Sequence, residues 1–158
     1  IYVKENPKQQ SFMRNSLFFQ RLMRIQNVVI VPSYTSTHDL LAHSIFTATI
    51  SGTVGWESIC RGKNVVIFGA AWYKSFPGVF PFSIDLSFKS IVEYTIDHDA
   101  LERSVGQFLA MLPKGTIDLD YAEEIEDFNA EHNTRNLASY LVDLILKRKD
   151  CFFTASRH

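Results

Sequence analysis

Residues 45 to 55, Ile45-Phe46-Thr47-Ala48-Thr49-Ile50-Ser51-Gly52-Thr53-Val54-Gly55, pass from a β-branched and aromatic run into a glycine turn, with Trp56-Glu57-Ser58-Ile59 behind it. An apolar strand feeding a helix through a short glycine turn is half of a βαβ unit. The same pattern extends outward in both directions. Upstream lie Asn27-Val28-Val29-Ile30-Val31 and Ile1-Tyr2-Val3-Lys4; downstream lies Asn64-Val65-Val66-Ile67-Phe68. Their Val/Ile content is continuous rather than alternating, as in strands covered by helices on both faces. A fifth strand is expected near residues 91 to 95.

Helical patterns fill the gaps. Phe12, Leu17, Phe18, Leu22 and Ile25 make a broad apolar stripe over residues 11 to 25, and shorter helices are expected at 37 to 44 and 54 to 61. Ser36 or Thr37 is the expected N-cap of the former. Asp99 and Glu102 form a D-x-x-E capping signature ahead of Leu101, Val105, Phe108, Leu109 and Leu112, and Pro113 and Gly115 end that helix. Leu137, Tyr140, Leu141, Leu144 and Ile145 repeat with helical spacing before the cations Lys147, Arg148 and Lys149. The C-terminal helices are expected at about 99–112, 120–131 and 134–148, with Glu123, Glu124, Glu126 and Asp127 read as a solvated helix face.

These elements predict one α/β domain over residues 1–158, a doubly wound, Rossmann-like parallel sheet with strand order 2-1-3-4-5, helices on both faces and a helical C-terminal segment. In that order the switch point lies between the first and third strands. The loops Lys4-Glu5-Asn6-Pro7 and Ser51 to Gly55 would then line one crevice. The start on Ile1 reads as mid-strand, so a preceding N-terminal domain is expected.

Bulk properties narrow the function. The 16 basic and 17 acidic residues give a net charge of −1, which leaves no overall basic field for nucleic acid. Cys60 and Cys151 form neither a disulfide framework nor a metal motif, which suits a reducing, cytoplasmic setting. No apolar run is long enough to span a bilayer, so any membrane contact, such as at the inner face of a bacterial membrane, is expected to be peripheral. His38, His43, His98, His132 and His158 lack metal-ligand spacing, and no G-x-S-x-G elbow is present, so no metal site is expected and no catalytic residue is assigned.

Several segments can carry chemistry. Ser51, Gly52, Thr53, Val54 and Gly55 can cradle a phosphate with backbone N–H groups and hydroxyls, although the two glycines equally suit a plain strand-to-helix turn. Lys4 offers a cation and Asn6 an amide, and Pro7 holds Asn6 extended. Glu57, placed in the first helical turn, can accept from ribose or sugar hydroxyls or simply oppose the helix dipole. The aromatic segment from Ala71 to Phe82, with Trp72, Tyr73 and Phe76, can stack a base, receive an acceptor or fold back on its own core.

In order and spacing, Lys4-Glu5-Asn6-Pro7, Asn27 to Val31, Ser51 to Glu57 and Gly62-Lys63-Asn64-Val65-Val66-Ile67-Phe68-Gly69 resemble the nucleotide-sugar-binding half of GT-B glycosyltransferases. Bacterial capsule polysaccharide synthesis proteins of the Kdo-transferase and polysialyltransferase type are the nearest likeness, over residues 1 to 82. The resemblance implies a nucleotide-sugar donor, CMP-linked, as substrate with no cofactor, and a surface glycan acceptor held by the N-terminal domain, without which the chain is inactive. The family's first loop reads K-x-H-P; here Asn6 stands in place of the histidine. Ser51, Gly52 and Thr53 match the phosphate-contacting turn, and Glu57 matches the acidic residue after it. The alternatives are a non-catalytic interaction module, which expects Trp72 and Phe76 on an exposed patch, and an enzyme resembling nucleotide-sugar 2-epimerases.

Overall fold

The computed structural model describes residues 1–6, 15–146 and 148; Pro7, Phe12, Lys147, Lys149 and Cys151 lie outside them. The chain forms two compact units, Ile1–Ile45 and Phe46–His158. The first unit holds β1 (Tyr2–Lys4), α1 (Ser16–Met23), β2 (Val29–Val31) and α2 (Thr37–His43). The strands pair in parallel, Tyr2 opposite Val29 and Lys4 opposite Val31. Asn15 caps α1 by accepting from the Phe18 N–H, and Ser36 caps α2 by accepting from the Asp39 N–H. Both caps satisfy N–H groups that have no partner inside their helices.

The second unit contains β3 (Thr47–Thr49), α3 (Thr53–Ile59), β4 (Val65–Ile67), β5 (Val79–Pro81), α4 (Phe88–Glu93), α5 (His98–Met111), α6 (Leu119–Ala122) and α7 (Ala130–Ile145). Its sheet is parallel in the order β3-β4-β5, with Thr49, Ile67 and Pro81 in register. All three residues of central β4 are buried, as its unbroken Val-Val-Ile run demands. Ile59, Val65, Ile67, Ala71, Tyr73, Phe76, Ile96 and Leu101 form the core, with Trp56, Trp72, Val79, Val105 and Phe108 packed against it.

The neighbours 2-1 and 3-4 of the expected order are present, but in two small sheets, a pair and a triplet, and the strand beside β4 is not the one expected. The fifth strand is also displaced. Residues 91 to 95 were expected to extend, yet Ile91 lies buried in α4, and the Ile91 and Tyr94 carbonyls accept hydrogen bonds from the buried Asn64 side chain. The strand lies instead at Val79–Pro81, entered through Gly78 at φ +82°. As the outermost strand of its sheet it tolerates Pro81, which has no N–H to offer a further neighbour.

Helix boundaries also differ. Asp97, not Asp99, caps α5 by accepting from the Ala100 N–H, because Ile96 is drawn into the core and the helix begins immediately after it. The helix expected over 120–131 shrinks to Leu119–Ala122: Asp127 adopts φ +57°, and Asn129 opens α7 by accepting from the His132 N–H. The acidic run is therefore a connection rather than a helix face. No described helix is long and apolar enough to cross a membrane.

Candidate functional site

The turn between β3 and α3 is held by hydroxyls from three directions. Gly52 occupies the N-cap position of α3 with extended backbone (φ −71°, ψ 155°) and has no side chain to cap with. Its N–H donates to Thr49 Oγ1 at 3.2 Å. Its carbonyl accepts from Tyr73 Oη at 2.6 Å and from the Gly55 N–H at 3.1 Å. Deeper in, the buried Ser58 hydroxyl lies 2.9 Å from the Val54 carbonyl, to which it donates, and 2.6 Å from Thr47 Oγ1, tying α3 to β3.

Outward, Ser51, Gly52 and Thr53 are exposed. The N–H groups of Thr53 and Val54 find no acceptor among the described residues, and no acidic side chain occupies the first turn of α3. Two open amides flanked by the Ser51 and Thr53 hydroxyls are suited to an anion.

Gly55 is not part of that open surface. It is buried, and a Cβ there would collide with Tyr73, meeting Oη first and lying 2.7 Å from Cζ and 2.9 Å from Cε2. The second glycine of the turn is thus required by close packing against the Tyr73 ring, which corrects its expected place in a phosphate cradle.

The aromatic segment takes the inward course. Tyr73 is 0% exposed and Phe76 is buried, while Trp72 is half-buried and stacks on Phe108 with ring centroids 4.9 Å apart. Tyr73 and Phe76 therefore have no free face for a nucleobase. The exposed rings lie elsewhere. Ile50, Phe68 and Phe82 each follow the last residue of β3, β4 and β5, so the strand register sets them side by side at the carboxyl end of the sheet. They are 66%, 55% and 54% exposed, and the Phe68 and Phe82 rings pack 4.8 Å apart. Sequence reasoning placed Phe68 inside a strand and Phe82 in the aromatic loop, and it overlooked Thr49 and Ser58. A threonine three residues before the turn glycine was the available sign of a side-chain grip on that glycine's N–H.

Burial pushes the Tyr73 hydroxyl above the ordinary tyrosine range. In alkali the unfolded chain therefore releases this proton first, and stability falls as pH rises past about 10, the unfolded tyrosine value. Urea midpoints measured from pH 8.5 upward should show a steeper decline for the native chain than for Tyr73→Phe; parallel curves would contradict the burial of this hydroxyl.

A family model described as capsule polysaccharide biosynthesis protein matches residues 1–81, just over half of the 158-residue chain. The chain belongs to the capsule polysaccharide biosynthesis family. No curated protein and no solved structure matches it. The family segment takes in the five strands of the described residues and ends on the last residue of β5, so Thr49, the turn, Gly55 and Tyr73 all lie within it.

The other expected residues are placed as follows. In the first unit, Lys4 Nζ donates to Thr37 Oγ1 at 3.1 Å, at the start of α2, and Asn6 is exposed. In the second unit, Glu57 is the fifth residue of α3 and half-buried, one residue further into the helix than expected, because the helix opens at Thr53. It lies just past the first turn of α3, beyond which the dipole effect falls off. Among the described residues no group of three or more His, Cys, Asp or Glu is placed to hold a metal ion.

Proposed function

We propose that this member of the capsule family carries the nucleotide-sugar site of a glycosyltransferase, with the donor phosphate held at Ser51, Gly52, Thr53 and Val54. Family membership supports a role in capsule synthesis. The observation that carries the finer reading is the pair of open Thr53 and Val54 amides on an exposed turn at the carboxyl end of a parallel strand. In the transfer, an acceptor hydroxyl oxygen bonds to the anomeric carbon as the bond from that carbon to the phosphate oxygen breaks. The electron pair leaves with the phosphate and the hydroxyl proton passes to a base. Donors fixed at the turn stabilise the growing negative charge without having to reorganise. Phe68 and Phe82 offer apolar faces to the sugar or base, a role the sequence assigned to Trp72, Tyr73 and Phe76. The acceptor and the catalytic base belong, on this reading, to a preceding domain. The rival docking module expects Phe76 exposed, and Phe76 is buried.

Calorimetric titration of the folded chain with CMP, CDP, UDP and GDP tests the proposal. Saturable binding of at least one nucleotide is expected, with affinity falling in Phe68→Ala. Absence of heat with all four, in a sample that melts cooperatively, removes the donor-site reading.

A further inference from the structure

Helix α7 is anchored along one side. Asn133 Oδ1 accepts from the Thr116 N–H at 2.8 Å, and Tyr140 Oη donates to the Met111 carbonyl at 2.7 Å. Asn133, Leu137, Tyr140 and Leu144 recur at i, i+4, i+7 and i+11, which is one side of a helix, and all are half-buried. That anchoring turns Leu141, Val142, Ile145 and Leu146 outward at the carboxyl end of the helix, where they are 55%, 49%, 77% and 52% exposed. Their spacing, i, i+1, i+4 and i+5, makes them one continuous apolar face. The cations Lys147, Arg148 and Lys149 follow directly in the sequence. The Arg148 N–H donates to the Asp143 carbonyl at 2.8 Å, which keeps the exposed Arg148 at the end of the helix that carries the apolar face. The acids of α7 stand apart from that face: Glu131 pairs with Arg135 in the first turns at 2.8 Å, and Asp143 is half-buried.

We propose that the carboxyl end of α7 docks on an anionic lipid surface, with Leu141, Val142, Ile145 and Leu146 entering the boundary between headgroups and acyl chains and Arg148 meeting the headgroups. Charge and size select this occupant. Positive charge directly after an apolar helix face is the complement of a negatively charged interface over an apolar interior. A second copy fits less well, because a stable protein interface takes about 20 residues a side. This face offers a single cluster of large apolar side chains, and copies packed in parallel would bring their Lys-Arg-Lys runs together. No described helix is long and apolar enough to cross a bilayer, so the contact of α7 is with the surface of the lipid. Helix α7 lies outside residues 1–81, and this inference does not depend on the donor-site reading.

Co-sedimentation of the 158-residue chain with phosphatidylcholine vesicles containing about 30% phosphatidylglycerol tests the proposal. Binding is expected to these vesicles and to be lost on vesicles of phosphatidylcholine alone. It should also weaken as salt is raised to about 1 M, where charges are screened within about 3 Å. Ile145→Glu alters a side chain that is mostly exposed, so the variant should melt as the native chain does while its affinity for the vesicles falls about tenfold. Arg148→Glu should lower that affinity about fivefold. Should Ile145→Glu fail to melt cooperatively, Leu141→Ser carries the same expectation. Ile84→Glu is the control for general surface apolarity: Ile84 is 90% exposed outside α7, and the variant should bind as the native chain does. Four results overturn the proposal: no binding by the native chain, equal binding to both kinds of vesicle, binding retained in a folded Ile145→Glu or Arg148→Glu variant, or an equal loss in Ile84→Glu. Self-association of the native chain without lipid, abolished by Ile145→Glu, also overturns it and gives the face to a second copy.

Discussion

Gly55→Ala is expected to destabilise the protein by about 3 kcal/mol, although alanine is favoured over glycine in a helix by about 1 kcal/mol. The new methyl group would press on Tyr73 Oη and stand 2.7 Å from Cζ, well inside van der Waals contact. The ring cannot withdraw, because it is fully buried and bonded to the Gly52 carbonyl. Helix α3 cannot shift outward without breaking the link from Ser58 to Thr47, whose oxygens lie 2.6 Å apart. Relief therefore costs either that tie or the Tyr73–Gly52 hydrogen bond. Urea denaturation gives the magnitude, and a double-mutant cycle identifies the cause: in a Tyr73→Ala background, where the ring is gone, Gly55→Ala should become nearly neutral. A stabilising Gly55→Ala in the native background would mean that propensity governs this position and that the ring contact is not real.

The second large effect has opposite signs for stability and binding. Thr53→Glu places a carboxylate at the first residue of α3, where no acid now stands and where the helix start is partially positive. Stability should rise by about 0.5 kcal/mol. The same carboxylate competes with a phosphate for the Thr53 and Val54 amides and repels it, so nucleotide affinity should fall about a hundredfold. Thermal melts and calorimetry on one preparation separate the two. A variant that is more stable yet binds as tightly as the native chain would show that the phosphate lies elsewhere.

Much of the architecture was legible because it rests on local rules. The strands around Val29, Thr47 and Val65 stand where continuous β-branched runs lie, the Ser36 cap is in place, and α5 follows the spacing of Leu101, Val105 and Phe108. Misplacements occurred where distant partners overrode local preference. Residues 91 to 95 have strand-like composition, yet Asn64, 27 residues before Ile91, holds the Ile91 carbonyl in a helical segment. Asp99 has the better capping pattern, yet the burial of Ile96 moves the helix start so that Asp97 does the capping.

The turn itself shows the same division. Sequence alone marked Ser51 to Gly55 as a strand-to-helix turn with glycine at two positions, because glycine and hydroxyl spacing is a property of neighbours along the chain. That one glycine is exposed and lies against the Thr49 hydroxyl while the other makes room for a ring from residue 73 was decided only by tertiary structure. The reason is steric: a missing Cβ looks the same in a sequence whether its neighbour is a hydroxyl three residues away or a ring 18 residues further along the chain. Only the packed core distinguishes the two.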